Sequence, residues 1–458
     1  MSETMELFDP YIQIVRRLQP VGLIGRVSSV RGLKVGVSDF PAAMGASCRI
    51  VGDGRSVDAR VIGFAGKQAL AMPIGPMTGI ARGDRVVMTS SQQTLAVGAG
   101  LLGRMIDGLG RCIDGAGPVH LDSRVPIWPE PIPPMQRRAI CEPLTSGVRA
   151  IDALMTVGHG QRMGLFASSG VGKTVLMGMI ARYAQADVKV IALIGERGRE
   201  VGDFLHKQLD EPARRQSVVV AATSDEPPLV RVQAGAVAAA VAEYFRDQGC
   251  RVLLLVDSLT RLAAAQRQIG LVAGEPPATR GYTPSVFSLL PELLERCGRT
   301  QTGAITGFYS VLLEGDDPVD PVSDAVRAVT DGHIFLSREL AGRAEYPAVD
   351  VVRSVSRVMT DVVEPAHRSA AQELRKCLGL YRHIEELVNI GAYQAGANSD
   401  YDVAIKFMPS IRRLLAQAVE ERADFQQTRQ ALLRLHEQIQ AERKRLAGGP
   451  PPAAGPAR

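Results

Sequence analysis

Residues 167–174 read Ala-Ser-Ser-Gly-Val-Gly-Lys-Thr, between an apolar run at Met163–Phe166 and a helical pattern at Val175–Tyr183. This is the phosphate-binding loop pattern G-x-x-x-x-G-K-[ST], with Ala167 in place of the first glycine. Across Ser168, Ser169, Gly170, Val171, Gly172, Lys173, Thr174 and Val175 the glycines let successive backbone N–H groups turn inward around phosphate oxygens. The helix that follows presents its positive end to the same oxygens. Lys173 adds a mobile charge at the β- and γ-phosphates, and the Thr174 hydroxyl is a ligand for their magnesium ion. The strand–loop–helix context predicts a site for ATP and Mg2+.

Two further segments fit such a site. Arg251-Val-Leu-Leu-Leu-Val-Asp257 is a buried strand ending in a carboxylate, the water-mediated magnesium partner that a phosphate-binding loop requires. A strand-closing Asp also serves as a helix cap or turn residue. The strand Val188–Ile194 runs into Gly195-Glu196-Arg197-Gly198-Arg199-Glu200. A carboxylate leaving the strand beside the phosphate-loop strand can polarise a water attacking the γ-phosphate. The residues alone leave open a surface acid paired with Arg197 or Arg199.

Strand candidates Met163–Phe166, Val188–Ile194, Val218–Ala222, Val252–Val256 and Gly303–Ser310 alternate with helical patterns, predicting a parallel α/β sheet covered on both faces. Upstream, Val21–Leu95 is rich in Val, Ile and Gly, with turn signals at Gly52-Asp53-Gly54, Ala65-Gly66-Lys67 and Arg82-Gly83-Asp84, the rhythm of a small β-barrel. Pro126-Ile-Trp-Pro-Glu-Pro-Ile-Pro-Pro134 reads as a stiff extended linker. From Pro365 the pattern turns helical, and Ile411–Leu446 reads as nearly one helix with Leu432, Leu435, Ile439 and Leu446 on one face. Tyr11, Ile14, Val15 and Leu18 mark a short amphipathic helix ended by Pro20, too short to stand alone and docking either on its own chain or on a partner. The tail Gly448–Arg458 has nothing to bury and is expected to be disordered.

Composition narrows the classes. The 458 residues call for two to four domains, and 46% hydrophobic with 22% charged residues is the balance of a soluble globular protein. A net charge of +5 over 53 basic and 48 acidic side chains gives no nucleic-acid footprint. The six cysteines lie far apart with no C-x-x-C pair, arguing against zinc and against a disulfide framework, as expected in the cytoplasm. The first twenty residues lack the form of a signal peptide, and nowhere do 18 apolar residues run together.

Longer runs carry a resemblance. TSGVRAIDALMTVGHGQRMGLFASSGVGKT (145–174), IGERGREVGDF (194–204), ATSDEPPLVR (222–231), VDSLTRLAAAQRQIGLVAGEPPATRGYTPSVFSLLPELLERCG (256–298), EYPAVDVVRSVSRVM (345–359) and IGAYQAGANSDYDVAI (390–405) resemble the flagellar type III export ATPases. These are relatives of the catalytic β-subunit of rotary ATP synthases, and the resemblance spans about residues 20–440. It implies an N-terminal helix at 1–20, a β-barrel at 21–95, a RecA-like ATPase core at 96–365, a helical domain at 366–446 and a tail from 447.

The same resemblance implies that Asp257 is the Walker B aspartate and Glu196 the catalytic glutamate, and that Arg197 and Arg261 line the site. Tyr346 falls on the tyrosine that stacks on adenine, and Arg357 on the arginine finger that reaches a neighbouring subunit. A homohexameric ring is therefore implied. Also implied are a stalk-like negative regulator bound through the N-terminal helix, a central-stalk protein, the export gate, substrate–chaperone complexes and peripheral membrane association. Two departures stand out: Ser168-Ser169, where relatives commonly have glycine, and Glu345, where they often have histidine. The alternatives are an injectisome ATPase, a non-hydrolysing ring subunit and an RNA-translocating helicase. Against the helicase, Val21–Leu95 contains only the aromatics Phe40 and Phe64, poor material for stacking bases.

Overall fold

The computed structural model describes residues 22–313 and 320–447. The expected N-terminal helix at Tyr11–Leu18 and the tail Gly448–Arg458 lie outside the described residues.

Six antiparallel strands, β1 (Ile24–Arg31), β2 (Lys34–Ser38), β3 (Ser47–Gly52), β4 (Arg55–Ala65), β5 (Gln68–Pro73) and β6 (Arg85–Ser90), close into a barrel in the order β1-β2-β5-β4-β3-β6. The turn signals sit where the sequence places them: Asp53-Gly54 joins β3 to β4, and Gly66-Lys67 joins β4 to β5. Val35, Val37, Ile50, Ala59, Val61 and Val86 fill the interior. Thr94–Val97 leaves the barrel and pairs instead with Ser123–Pro126. The proline-rich segment after it is fastened down. Ile127 is buried, and Arg296 donates to its carbonyl at 3.0 Å while lying over the Trp128 ring and pairing with Glu243.

The central domain is a nine-stranded sheet. Its order is Val355–Ser356, Gly332–Phe335, Arg162–Ala167, Ala304–Leu312, Arg251–Asp257, Val188–Ile194, Ser217–Ala222, Met105–Asp107, with Gly298–Arg299 pairing off this path. The five strand candidates are all present. The short strands Met105–Asp107, Gly332–Phe335 and Val355–Ser356 escape sequence reading because two to four residues carry no periodicity. Central strands face two cores: Val190, Ala192, Val252 and Leu254 pack on one side, and Ile191, Leu193, Leu253 and Leu255 on the other. Burial on both faces is why these strands read as unbroken apolar runs.

The first core is covered by helices Pro228–Asp247, Leu259–Ala273 and Pro284–Leu294. The second is continuous with the helical domain: Leu176, Met177 and Ile180 of the phosphate-loop helix (Lys173–Tyr183) share one cluster with Leu374, Phe407, Ile411, Leu432 and Ile439. Helices Pro365–Asn389, Ser399–Leu415 and Phe425–Ala447 form that domain.

The near-continuous helix expected over Ile411–Leu446 is therefore corrected to two helices with a break at 416–424. The break contains no Gly or Pro, so local sequence does not announce it. Tertiary bonds make it. Arg149 Nε donates to Leu414 O at 3.0 Å, and Gln417 Nε2 donates to Gly147 O at 2.8 Å. The Asp424 carboxylate then accepts from Gln427 N at 2.9 Å at the start of the next helix.

Candidate active site

The site forms at the C-terminal ends of the parallel strands, where this type of sheet binds ligands. The strand Arg162–Ala167 ends at the loop, and Lys173 opens the helix. Gly170 and Gly172 have φ of 82° and 93°, a left-handed backbone open to glycine at little cost. Ser168 and Val171 are buried, Ser169, Gly170 and Thr174 are exposed, and Gly172 and Val175 are half-buried.

Lys173 and Asp257 are joined by a close ion pair. Asp257 Oδ1 also accepts from Ser310 Oγ at 2.6 Å, while Oδ2 accepts no hydrogen bond among the described residues. The neighbouring helix is capped by Ser258, whose side chain accepts from Arg261 N at 3.4 Å, so capping does not account for Asp257. Ser310 lies two positions before the end of the strand Ala304–Leu312, one residue past the Tyr309–Val256 pair and so level with Asp257, and was not singled out from sequence. Its signal in the sequence is weak, since the strand Ala304–Leu312 also carries the hydroxyls of Thr306 and Tyr309.

Glu196 reaches the same cluster by an unexpected route. Its strand, Val188–Ile194, is not beside the phosphate-loop strand, since Ala304–Leu312 and Arg251–Asp257 stand between them. Adjacency is corrected, yet the turn after Ile194 carries the carboxylate back, with Oε1 3.8 Å from Lys173 Nζ and Oε2 3.0 Å from Arg261 Nη2. Gly195, with φ 70°, makes that turn, and a Cβ there would stand 2.9 Å from Arg261 Cβ. Ser224 N donates to Glu196 O at 2.9 Å and fixes the main chain.

Burial, then a hydrogen bond with the Glu200 carboxyl and the charge of Asp257, push the Glu196 carboxyl up to about 8, against the pull of Lys173 and Arg261. Glu200 is held below its ordinary value, first by the bond to Glu196. A carboxyl tuned toward neutrality suits proton transfer at physiological pH.

The remaining residues divide. Arg261 also donates to Gly195 O and is part of the cluster. Arg197 has an exposed guanidinium that pairs with Glu200 at 3.8 Å rather than with the central carboxylates. Tyr346 lies against the loop: a Cβ on Gly172 would come 4.0 Å from its ring. Its hydroxyl donates to Ala341 O at 3.3 Å, and a cavity of about 520 Å³ opens beside it, lined also by Pro347, Tyr381, Arg412 and Gln417. Glu345 stands 3.5 Å from Arg412.

Arg357 is far from all of these. It follows the edge strand Val355–Ser356, which pairs antiparallel with the beginning of Gly332–Phe335, and its N–H donates to Asp331 O at 2.9 Å. Asp331 N in turn donates to Arg162 O, at the start of the phosphate-loop strand. The loop leaves the other end, roughly 17 Å away at about 3.3 Å per residue. The Arg357 side chain is exposed and has no ion-pair partner among the described residues.

The chain matches the ATP synthase alpha/beta family nucleotide-binding domain over residues 147–356 and that family's beta-barrel domain over 27–90. Residues 363–434 match the T3SS EscN ATPase C-terminal domain. It is 48% identical to the flagellum-specific ATP synthase of Treponema pallidum, covering 92% of this chain and 95% of that one. It is 47% identical to the type 3 secretion system ATPase of Xanthomonas euvesicatoria, covering 89% and 93%. The assembled ATPase EscN from the enteropathogenic E. coli type III secretion system superposes with a TM-score of 0.86 at 41% identity, over 90% of this chain and 100% of that one. A structure of EscN in complex with its central stalk EscO gives 0.84 at 40% identity, with the same coverage. With this sequence coverage and the phosphate loop, carboxylates and barrel in place, the chain belongs to the ATP synthase alpha/beta family as an ATP-hydrolysing enzyme, in the group shared by flagellum-specific ATP synthases and type III secretion ATPases.

Proposed function

We propose that this chain is one subunit of a homohexameric ring at the base of the flagellar type III export apparatus. There its ATP cycle drives chaperone release, unfolding and export of flagellar proteins. The observation that carries the ring is the separation of Arg357 from its own phosphate loop. An exposed arginine at the opposite end of the sheet from its own phosphate loop supports a role at a second subunit's nucleotide. A trans arginine that neutralises charge on the transferring phosphoryl group contributes about 10³–10⁵ in rate.

Each subunit divides the work as follows. Loop amides from Ser168 to Val175 and the Lys173 ammonium hold the β- and γ-phosphates, and the Tyr346 ring stacks on adenine. Thr174 and Asp257 fit a magnesium ion: one carboxylate oxygen is engaged by Lys173 and Ser310 while the other remains for a bridging water. Bound there, Mg2+ supplies charge neutralisation at the phosphate oxygens. Glu196, oriented by Arg261, takes the proton of the water that attacks the terminal phosphorus, and ADP and phosphate leave. Arg197 adds positive charge at the rim.

The N-terminal helix binds a stalk-like negative regulator. The ring engages a central-stalk protein, the export gate and substrate–chaperone complexes from the cytoplasmic face of the inner membrane. The central stalk is supported by EscO's place on EscN. The ring is attached peripherally; among the described residues no helix is long and apolar enough to cross a membrane.

The second reading is an injectisome ATPase, favoured by EscN and by an identity of 47% to the Xanthomonas relative against 48% to the Treponema one. The segments 274–281 and 392–398 look more like the flagellar form. Neither reading involves nucleic acid: Phe40 is buried and only Phe64 of the two barrel aromatics is exposed. Introducing Lys173→Ala into the chromosome and assaying culture supernatants decides between them. Loss of hook and filament proteins supports the flagellar assignment, and loss of effectors with intact filaments overturns it.

A further inference from the structure

The segment between the last two helices crosses the nucleotide site's outer wall, and Gln417 is its fixed point. This residue is 5% exposed, and its side chain is fully engaged. Oε1 accepts from Arg149 N at 2.8 Å, and Nε2 donates to Gly147 O at 2.8 Å and to Glu421 O at 2.7 Å. Its backbone N–H donates to Tyr346 O at 3.1 Å. One residue of the helical domain is therefore locked to the turn at 147–149 and to the main chain of the tyrosine beside the phosphate loop.

Two residues on, Val419 O accepts from Arg182 Nη2 at 2.8 Å and from the Tyr183 hydroxyl at 3.0 Å, at the far end of the phosphate-loop helix. Arg149 holds the segment from outside, through Leu414 O and the Glu421 carboxylate at 2.9 Å. The bonds at 417 lead to the base side of the site, and those at 419 to the end of the phosphate-loop helix remote from Lys173.

We infer that Gln417 is a positioning residue for the nucleotide base: by fixing the segment that bonds Tyr346, it sets that ring against Gly172, and it acts on ATP only through Tyr346. The inference rests on the reading of Tyr346 as the adenine platform. A buried glutamine with four engaged groups makes one placement of the platform far more favourable than its neighbours, because any shift leaves donors or acceptors without partners. The platform is thereby tied to the helical domain rather than to the sheet alone.

The test is a double-mutant cycle on the full chain, with ATP affinity, KM and kcat measured for the wild type, Gln417→Met, Tyr346→Ala and the double variant. Inorganic triphosphate, which has no base, is measured as a competitor in parallel. Gln417→Met should raise the dissociation constant and KM for ATP by about 5-fold, the loss expected of displaced hydrogen bonds, with kcat within about 2-fold. Triphosphate affinity should stay unchanged, and the double variant should match Tyr346→Ala alone. Additive losses, or equal losses for triphosphate and ATP, overturn the inference by assigning Gln417 a general structural role. Should Gln417→Met not fold, Gln417→Glu keeps the acceptor for Arg149 N and removes both donated bonds, with the same outcomes. Tyr346→Ala leaving ATP affinity intact would instead sink the platform reading itself.

Discussion

Replacing Glu196 with glutamine keeps the side chain's volume and removes its capacity to take a proton. In the folded chain Glu196 is 8% exposed, 3.8 Å from Lys173 Nζ and 3.0 Å from Arg261 Nη2. The amide oxygen still accepts from Arg261, so the turn at Gly195 is retained. Loss of a positioned base lowers turnover by about 10²–10⁴, or roughly 3–5 kcal/mol of transition-state stabilisation.

Binding should respond differently. Burial holds the carboxyl up to about 8, so near pH 7 the neutral amide matches the protonated majority, the ionised minority being the form that takes the proton, and ATP affinity should stay within about 3-fold of wild type. As pH rises through that value the wild type gains a negative charge beside the phosphates. At about 5 Å and an effective dielectric of about 20, one pair of like charges costs about 3 kcal/mol. Lys173 and Arg261 offset much of it, leaving an expected fall of about tenfold in wild-type affinity by pH 9. The glutamine variant should show no such fall.

The assay is phosphate release at saturating ATP, with calorimetric ATP binding at pH 7 and pH 9 on the same preparations. Turnover within 2-fold of wild type, as an estimate of experimental scatter about unity, would remove Glu196 from the chemistry. Lost binding at pH 7 would make it a structural residue instead.

Three other outcomes follow from the same structure. Lys173→Ala should abolish measurable turnover and weaken ATP binding by two or more orders of magnitude, about 3 kcal/mol or more, because it also leaves the buried Asp257 without its cation; calorimetry checks this. Arg357→Ala should keep ATP binding and reduce turnover by about 10³ or more, and mixing it with Glu196→Gln subunits should restore activity at interfaces holding one intact pair; no rescue in demonstrably mixed rings counts against the trans role. Lys189 is 2% exposed, donates to Arg182 O at 3.2 Å, and is lowered to about 8 by burial. Its folded value lies below the unfolded one, so its full penalty is present below pH 8 and fades as pH rises toward about 10.4. Lys189→Met should therefore be more stable by about 2 kcal/mol at pH 7, with the advantage shrinking by pH 9.5 in urea titrations; an advantage independent of pH would refute the titration account.

Local sequence determined the phosphate loop, the five long parallel strands and the barrel's turns. Gly170 and Gly172 make a left-handed backbone cheap, and strands buried on both faces must read as apolar runs wherever they sit in the sheet. The positions of Thr174 and Asp257 were legible for the same reason, since each is tied to the end of such a run. Strand order was not legible, because neighbours in a parallel sheet are chosen by crossovers and not by adjacent residues. Glu196 thus reaches Lys173 from three strands away, across a turn that Gly195 and Arg261 shape together.

The break at 416–424 shows the same division. Its residues are compatible with helix, and only hydrogen bonds donated by Arg149 and Arg182 and accepted by Gly147 O, all distant in sequence, stop them from continuing one. Arg357 is the clearest case. As a residue in Ser354-Val-Ser-Arg-Val358 it is one more cation; the antiparallel edge strand puts it at the sheet's opposite end from its own phosphate loop. Distance along a strand is a property of the assembled sheet, and it is that distance which motivates the proposed role of Arg357 at another subunit.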